Sequence, residues 1–166
     1  MELFNRALLQ QIGEQILQRN ETVAVAESVT AGLLQFAFSN IPDASNFFQG
    51  GVTAYNIAQK FKHLNVEPIH ALSVNCVSER VAVEMAIQVC EQFKSEWGIS
   101  ITGYATAVPE SNGQLYAFFA IVYKGTVKQA GKLVPATGDP TSVQLAYANE
   151  VIEKMMLCVG KVMNKS

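Results

Sequence analysis

What this chain lacks narrows its chemistry before any motif is considered. It has no excess of either charge: Lys and Arg number 12, Asp and Glu 14, and charged residues are 16% of 166. Nucleic-acid binding normally needs a basic face, and a net charge of −2 with a pI of about 5.7 offers none, so no nucleic-acid partner is expected. Long apolar runs are also missing. Although 49% of the residues are hydrophobic, polar residues break every run well short of the ~20 that a membrane span requires, so no membrane partner is expected. Met1 to Arg19 alternate apolar and polar residues at helical spacing, without the basic start and continuous apolar core of a signal peptide; a cytoplasmic location is expected. Three cysteines, Cys76, Cys90 and Cys158, are an odd number without C-x-x-C spacing, which suits reduced structural thiols among apolar neighbours. The two histidines, His63 and His70, have no H-E-x-x-H context and no carboxylate pair in register, so no metal is expected. Gly50-Gly51 fits neither the dinucleotide nor the P-loop fingerprint, and no cofactor is expected.

What is present reads as one domain over residues 1–166, without repeats or linkers and long enough to bury roughly two-thirds of the surface of its unfolded chain. Phe4, Leu8, Ile12 and Ile16 recur at helical spacing up to about Leu17. A strand is predicted at about Thr22 to Ala26, a short helix at Leu33 to Phe38, a strand at Phe47 to Tyr55 and a helix from Asn56 to Leu64. Ser78 caps a long helical pattern through Phe93 that Trp97 and Gly98 close, followed by a short strand from Ile99 to Gly103. Strands at Gln114 to Tyr123 and Thr126 to Val134 suit a hairpin around Lys124-Gly125, and a last helix runs from about Thr141 to Met156. Strands alternating with helices and then a hairpin predict an α/β three-layer sandwich, α/β/α, with a mixed sheet.

The segment Val23 to Leu34 reads as a buried strand that ends on a serine and turns at once into a helix. Two readings stand. Ser28 is a nucleophile beside helix-terminal N–H groups able to hold an anion or oxyanion, or else Ser28 or Thr30 simply caps the helix. In an open α/β sheet, Ser28, the Gly50-Gly51 strand with Tyr55, and Thr102-Gly103 all fall at strand ends where ligands bind. Lacking a well-placed histidine, a serine needs another base. Lys60, a turn after Tyr55, is a candidate if desolvated and an ordinary solvated surface lysine if not.

Four segments in order carry a resemblance over nearly the whole chain. Ala26-Glu27-Ser28-Val29-Thr30-Ala31-Gly32 is similar to A-E-S-C-T-G-G, and Phe48 to Lys60 to F-x-G-G-V-V-T-Y-S-N-E-A-K. The other two are Val77-Ser78-Glu79 with Glu84-Met85-Ala86, and Ile101 to Ala105, the latter similar to the start of T-G-I-A-G-P. These motifs resemble the C-terminal domain family of CinA, the competence- and damage-inducible protein, whose stand-alone members include nicotinamide-nucleotide amidases. The resemblance implies an α/β/α domain, a homodimer, and a small-molecule partner: a nucleotide carboxamide hydrolysed to the acid with release of ammonia. Carried over residue by residue, it implies catalytic roles for Ser28, Lys60 and Tyr55. With the strand-end reading it marks Thr30, Gly32, Gly50, Gly51, Thr102 and Gly103 as substrate-binding.

Departures cluster on one side. The family's glycine-rich loop is rewritten as Thr106 to Gln114, and its G-D-R-x-x-[VI]-R becomes Gly138 to Gln144, with Pro140 and Gln144 at the two arginine positions. Neither can make the paired, charge-assisted hydrogen bonds an arginine gives a phosphate. The expectation is therefore an amidohydrolase with a Ser–Lys centre and an altered substrate, and the alternative a catalytically silent relative acting as a small-ligand-binding or dimeric interaction module.

Overall fold

A computed structural model describes residues 2–164. Helix α1 (Arg6–Gln18) leads into β1 (Val23–Glu27), followed by α2 (Leu33–Ser39), β2 (Phe48–Thr53), α3 (Ile57–Leu64), α4 (Pro68–Ser73), α5 (Glu79–Phe93), β3 (Trp97–Gly103), β4 (Ala117–Tyr123), β5 (Thr126–Leu133) and α6 (Pro140–Met163). The five strands lie in the order β2-β1-β3-β4-β5. β1 pairs in parallel with β2 and β3, whereas β4 and β5 are antiparallel, so the sheet is mixed. This is the three-layer α/β sandwich.

Alternation along the strands builds the two cores, because successive side chains leave a strand on opposite faces. Val23 and Val25 of β1, Trp97, Ile99 and Ile101 of β3, and Phe119 and Ile121 of β4 face the layer of α1, α2 and α6. Ala24 and Ala26 face the other way, onto Val81, Met85 and Val89 of α5. The second face is lined by small residues for a reason. At Gly98 a Cβ would stand 2.3 Å from the Ala86 carbonyl oxygen, and the Ser100 hydroxyl donates to the Ala82 carbonyl, so α5 lies almost on the backbone of β3. That close approach fixes the floor beneath the parallel strand ends.

The chain runs from β1 outward to β2, then crosses back through α3, α4 and α5 to β3 on the other side of β1. A crevice forms where such a reversal occurs, outside the carboxyl ends of the strands. Here it lies above Glu27 and Gly103.

Several boundaries differ from the sequence reading. Trp97 and Gly98 do not close α5; they open β3. The helix ends at Phe93, with Lys94 in the left-handed region at φ 52°, and the buried Trp97 indole donates to Glu21 Oε2 at 2.9 Å. Helix α4 was not anticipated. Its six residues are too few for a periodic pattern, but Glu67 accepts from the backbone N–H groups of Ile69 and His70, and Pro68 opens it with a preset φ. β4 starts at Ala117 rather than Gln114, and α6 continues to Met163 rather than Met156. Among the described residues no helix is long and apolar enough to cross a membrane.

The packing of α5 on β3 is directly testable. Gly98→Ala drives a methyl into the Ala86 carbonyl and the Cys90 sulfur, backbone against backbone, and should lower stability by about 2–3 kcal/mol. Urea denaturation with an unchanged m-value is the measurement; a loss below ~0.5 kcal/mol would show that α5 is free to retreat.

Candidate functional site

The period of two that builds the cores also sorts the end of β1. Glu27 shares the parity of Val23 and Val25 and points toward α2; Ser28 shares that of Ala24 and Ala26 and points toward the α3–α5 layer. The Ser28 N–H donates to the Ile101 carbonyl at 3.1 Å and the Ala54 N–H to the Glu27 carbonyl at 2.9 Å, so β1 stays pinned to both neighbours up to the turn.

Lys60 comes from α3, whose N-cap Asn56 accepts from the Gln59 N–H. Its side chain runs inward rather than out to water and is 1% exposed. Nζ lies 2.7 Å from Ser28 Oγ and donates to the Ala54 carbonyl oxygen at 2.9 Å. Burial brings the amine down to about 8, with Cys76 pulling it the other way, because a charged ammonium loses hydration that two neutral oxygens replace only in part. The reading of Lys60 as a solvated surface lysine does not hold.

Capping of α2 belongs to neither residue the sequence suggested. Glu27, fully buried, accepts from the N–H groups of Leu34 (2.8 Å) and Gln35 (3.0 Å), from the Thr30 hydroxyl (2.7 Å) and from the Gln35 side-chain amide (3.2 Å). The helix terminus expected to receive a ligand anion is therefore occupied by the chain's own carboxylate. Four turn residues separate Ser28 from α2, and the N–H groups of Val29 and Thr30 within that turn donate to no acceptor among the described residues.

A cavity of about 510 Å³ opens beside the Ser28–Lys60 pair. Thr102 and Gly103 line it, the Thr102 hydroxyl being committed to the Cys76 carbonyl at 2.8 Å. Tyr55 stands at the mouth, 66% exposed, with no hydrogen bond from its phenol to Ser28 or Lys60. Thr30, Gly32, Gly50 and Gly51 do not line the cavity. Thr30 serves Glu27. Gly32 precedes α2 at φ 107°, and a Cβ on Gly50 would press on Phe93 at 3.1 Å while one on Gly51 would meet the Val25 carbonyl at 2.5 Å. The two histidines lie elsewhere: His63 is exposed, and His70 Nε2 pairs with Ser78 Oγ at 2.9 Å. No group of three or more metal-ligating side chains occurs among the described residues.

Residues that sequence reasoning did not place here are Asn75, Cys76 and Tyr104. Asn75 Nδ2 donates to the Tyr104 hydroxyl at 3.1 Å across the wall. Cys76 is a free thiol packed against the apolar cluster under α5, as its apolar neighbours suggested, but unlike the buried Cys90 and Cys158 it is only half-buried and also lines this wall. Burial holds that thiol above its usual range, Lys60 pulling it down, so it stays protonated near neutral pH. A backbone stretch of left-handed Asn75 and Cys76, φ 50° and 62°, carried no legible sequence signal.

The sequence matches the family model for the CinA C-terminal domain over residues 5–159. It is 34% identical over 122 residues to a CinA-like protein of Rippkaea orientalis, covering 74% of this chain and 29% of that protein. It is 38% identical over 112 residues to a protein of Mycoplasma genitalium, covering 67% and 71%. The chain spans about a quarter of the length of its CinA-like cyanobacterial relatives, 29% and 23% in two of them. A solved CinA superfamily protein from Klebsiella pneumoniae superposes with a TM-score of 0.88 at 21% identity, covering 97% of this chain and 99% of that one, which speaks for the fold. One from Escherichia coli gives 0.84 at 26% identity, covering 93% and 89%.

Two outcomes follow from this geometry. Because the folded value of Lys60 is depressed to about 8 while the unfolded amine titrates near ~10.4, the unfolded chain holds one more proton between them. Stability should therefore rise with pH across that window, by about 3 kcal/mol relative to Lys60→Met, and show no such difference in slope below about pH 7. Denaturant midpoints of both proteins from pH 6 to about 10.5 are the check. For the clamp, Glu27→Gln sets an NH₂ against N–H donors and should cost about 2 kcal/mol, Thr30→Val about 1 kcal/mol. Equal, negligible losses would remove Glu27 as the organiser of the turn.

Proposed function

We propose that this chain, which belongs to the CinA C-terminal domain family, is an amidohydrolase that works through Ser28 and Lys60. The observation that carries the reading is the 2.7 Å approach of a buried lysine amine, depressed to about 8, to a serine hydroxyl on a cavity wall. A serine is a weak nucleophile until a base takes its proton, and a neutral amine within hydrogen-bond reach is such a base.

In this reading a substrate carboxamide lies in the cavity with its carbonyl carbon near Ser28 Oγ. Ser28 forms the acyl C–O bond while its proton passes to Lys60 Nζ. As the tetrahedral adduct collapses, the C–N bond breaks and Lys60 returns the proton to the departing nitrogen, which leaves as ammonia. Water then adds to the acyl-enzyme, Lys60 accepting its proton and delivering it to Ser28 Oγ as the acid departs. The uncommitted N–H of Val29, which lines the cavity, supports a place for the oxyanion just past the nucleophile. The Ala54 carbonyl steers the amine toward Ser28. Tyr55, open at the mouth, orients substrate in this scheme rather than relaying the proton. The domain's family includes nicotinamide-nucleotide amidases, so nicotinamide mononucleotide is the first amide to try.

A second reading is favoured by one specific feature, the proline and glutamine at Pro140 and Gln144 in place of two arginines. In it the same cavity binds a small ligand without turnover, as a binding or dimeric interaction module.

Ammonia release over a panel of nucleotide and non-nucleotide amides separates the two. Ser28→Ala and Lys60→Met should each lower kcat/KM by about a thousandfold or more. The wild-type profile should climb tenfold per pH unit below about 8, where Lys60 is protonated and cannot accept, and level off above it. Ammonia from no amide of the panel would establish the second reading, and turnover that survives Ser28→Ala a different nucleophile.

A further inference from the structure

The charges around the cavity bear on what it can hold. Three helices begin beside it: α2 and α6 spend their first N–H groups on their own carboxylates, and α3 opens on the wall at Asn56 and Ile57 with a neutral cap, the Asn56 side chain accepting from the Gln59 N–H. Glu27 takes those of α2, and Asp139 accepts from the Thr141 and Ser142 N–H groups at the start of α6, where Pro140 has no N–H to offer. Gln144 donates through Nε2 to the Val29 carbonyl at 2.8 Å, which leaves a neutral amide oxygen and one N–H, and no charge, for a ligand. Lys60 is bound to Ser28 and Ala54 and acts only when neutral. Apart from Lys60, Glu110, an exposed carboxylate at the rim, is the one Asp, Glu, Lys, Arg or His on the wall among the described residues. Around it the wall is apolar, through Ile57, Leu72, Val77 and Val108. Among the described residues an anion on this wall therefore meets a like charge at the rim and neutral donors alone, the Val29 N–H among them, with no free cation to pair with it.

Resting on the amidohydrolase reading above, we infer that this pocket takes uncharged or cationic carboxamides on a flat apolar body and discriminates against phosphorylated and other anionic ones. Glu110 supplies the preference for a positive charge at the rim. Lys132 does not alter this: it borders the adjoining cavity, which shares Ala105, Thr106 and Pro140 with this one, and its ammonium sits 4.2 Å from the centre of the Tyr116 ring.

The test is a binding series on Ser28→Ala at about pH 9, where the Lys60 amine is neutral and nothing is consumed. Three flat ring amides span the three charge states: benzamide (neutral), 1-methylnicotinamide (cationic) and 4-carbamoylbenzoate (anionic), with 4-carbamoylbenzoate methyl ester as the neutral control for the added substituent. Calorimetry should show the neutral and cationic probes binding at least tenfold tighter than the anion, and Glu110→Gln should shrink the gap between cation and neutral. Adding Pro140→Arg and Gln144→Arg together should raise the affinity of the anionic probe tenfold or more. The inference is overturned if 4-carbamoylbenzoate binds as well as the others, or if none of the three binds up to about 10 mM. It is equally overturned if nicotinamide mononucleotide binds as tightly as its unphosphorylated riboside; loss of that affinity in Lys132→Gln would then move the phosphate to the adjoining cavity. Should the predicted order of binding hold while the wild type releases ammonia from no amide, the ligand class stands and the amidohydrolase reading alone falls.

Discussion

The site depends on a carboxylate that never meets substrate. Glu27 ends β1 inside the protein, and an uncompensated carboxylate there would cost several kcal/mol. It is tolerated because α2 begins within reach: two backbone N–H groups, a hydroxyl and a side-chain amide converge on its two oxygens. The Gln35 amide goes on to donate to Thr53 at the end of β2. One acidic side chain thus joins the ends of two parallel strands to the next helix. With the turn held on that face, alternation leaves Ser28 the opposite one, and the hydroxyl has only one layer of the molecule to look into.

That layer contains the second constraint. A lysine held away from water is unfavourable in its charged form, and Ser28 and Ala54 offer two neutral oxygens where bulk water would offer a full shell. The amine is held in place by the same backbone reversal that makes the crevice. β2 delivers the Ala54 carbonyl, α3 returns Lys60 over it, and α5, drawn onto β3 by Gly98 and Ser100, closes the floor. The instability of the ammonium and its availability as a base are one fact seen from two sides. A site that hydrated Lys60 better would stabilise the fold and remove the acceptor that the proposed mechanism requires.

Legibility in the sequence followed physical range. Strand alternation and helical spacing are local, so the order of elements, the mixed sheet and the hairpin could be read directly. Boundaries set by distant partners could not: Trp97 looks like the end of a helical run until Glu21, 76 residues earlier, is found to take its indole N–H. The pairing of Ser28 with Lys60 spans 32 residues and has no spacing signature; the position of Lys60 a turn after Tyr55 made it a candidate base against a surface lysine, and the family resemblance favoured the pair. Glu27 sat inside the same motif without a role, because a carboxylate in a strand gives no local sign of the helix it caps. The glycines marked as ligand contacts, Gly50 and Gly51, also meet backbone demands: Gly50 lies at φ 119°, and a Cβ on Gly51 would stand 2.5 Å from the Val25 carbonyl oxygen.

The departures from the family pattern fall where the fold can absorb them. Ser28 and Lys60 are held by strand ladders and by packing on three elements, so a change there would disturb the core. Pro140 and Gln144 lie at the start of α6, next to exposed residues 136–142, where substitution costs little. They are not gaps left by two missing arginines. Pro140 takes the first helical position, where its fixed φ suits the backbone and its absent N–H is not needed, and Gln144 ties α6 to the carbonyl of Val29, the residue after the serine. Each position has acquired a structural use that opposes simple reversion. The proposed nucleophile and base and the proposed charge preference of the rim therefore rest on different parts of the fold, and the second can change while the geometry of the Ser28–Lys60 pair remains intact.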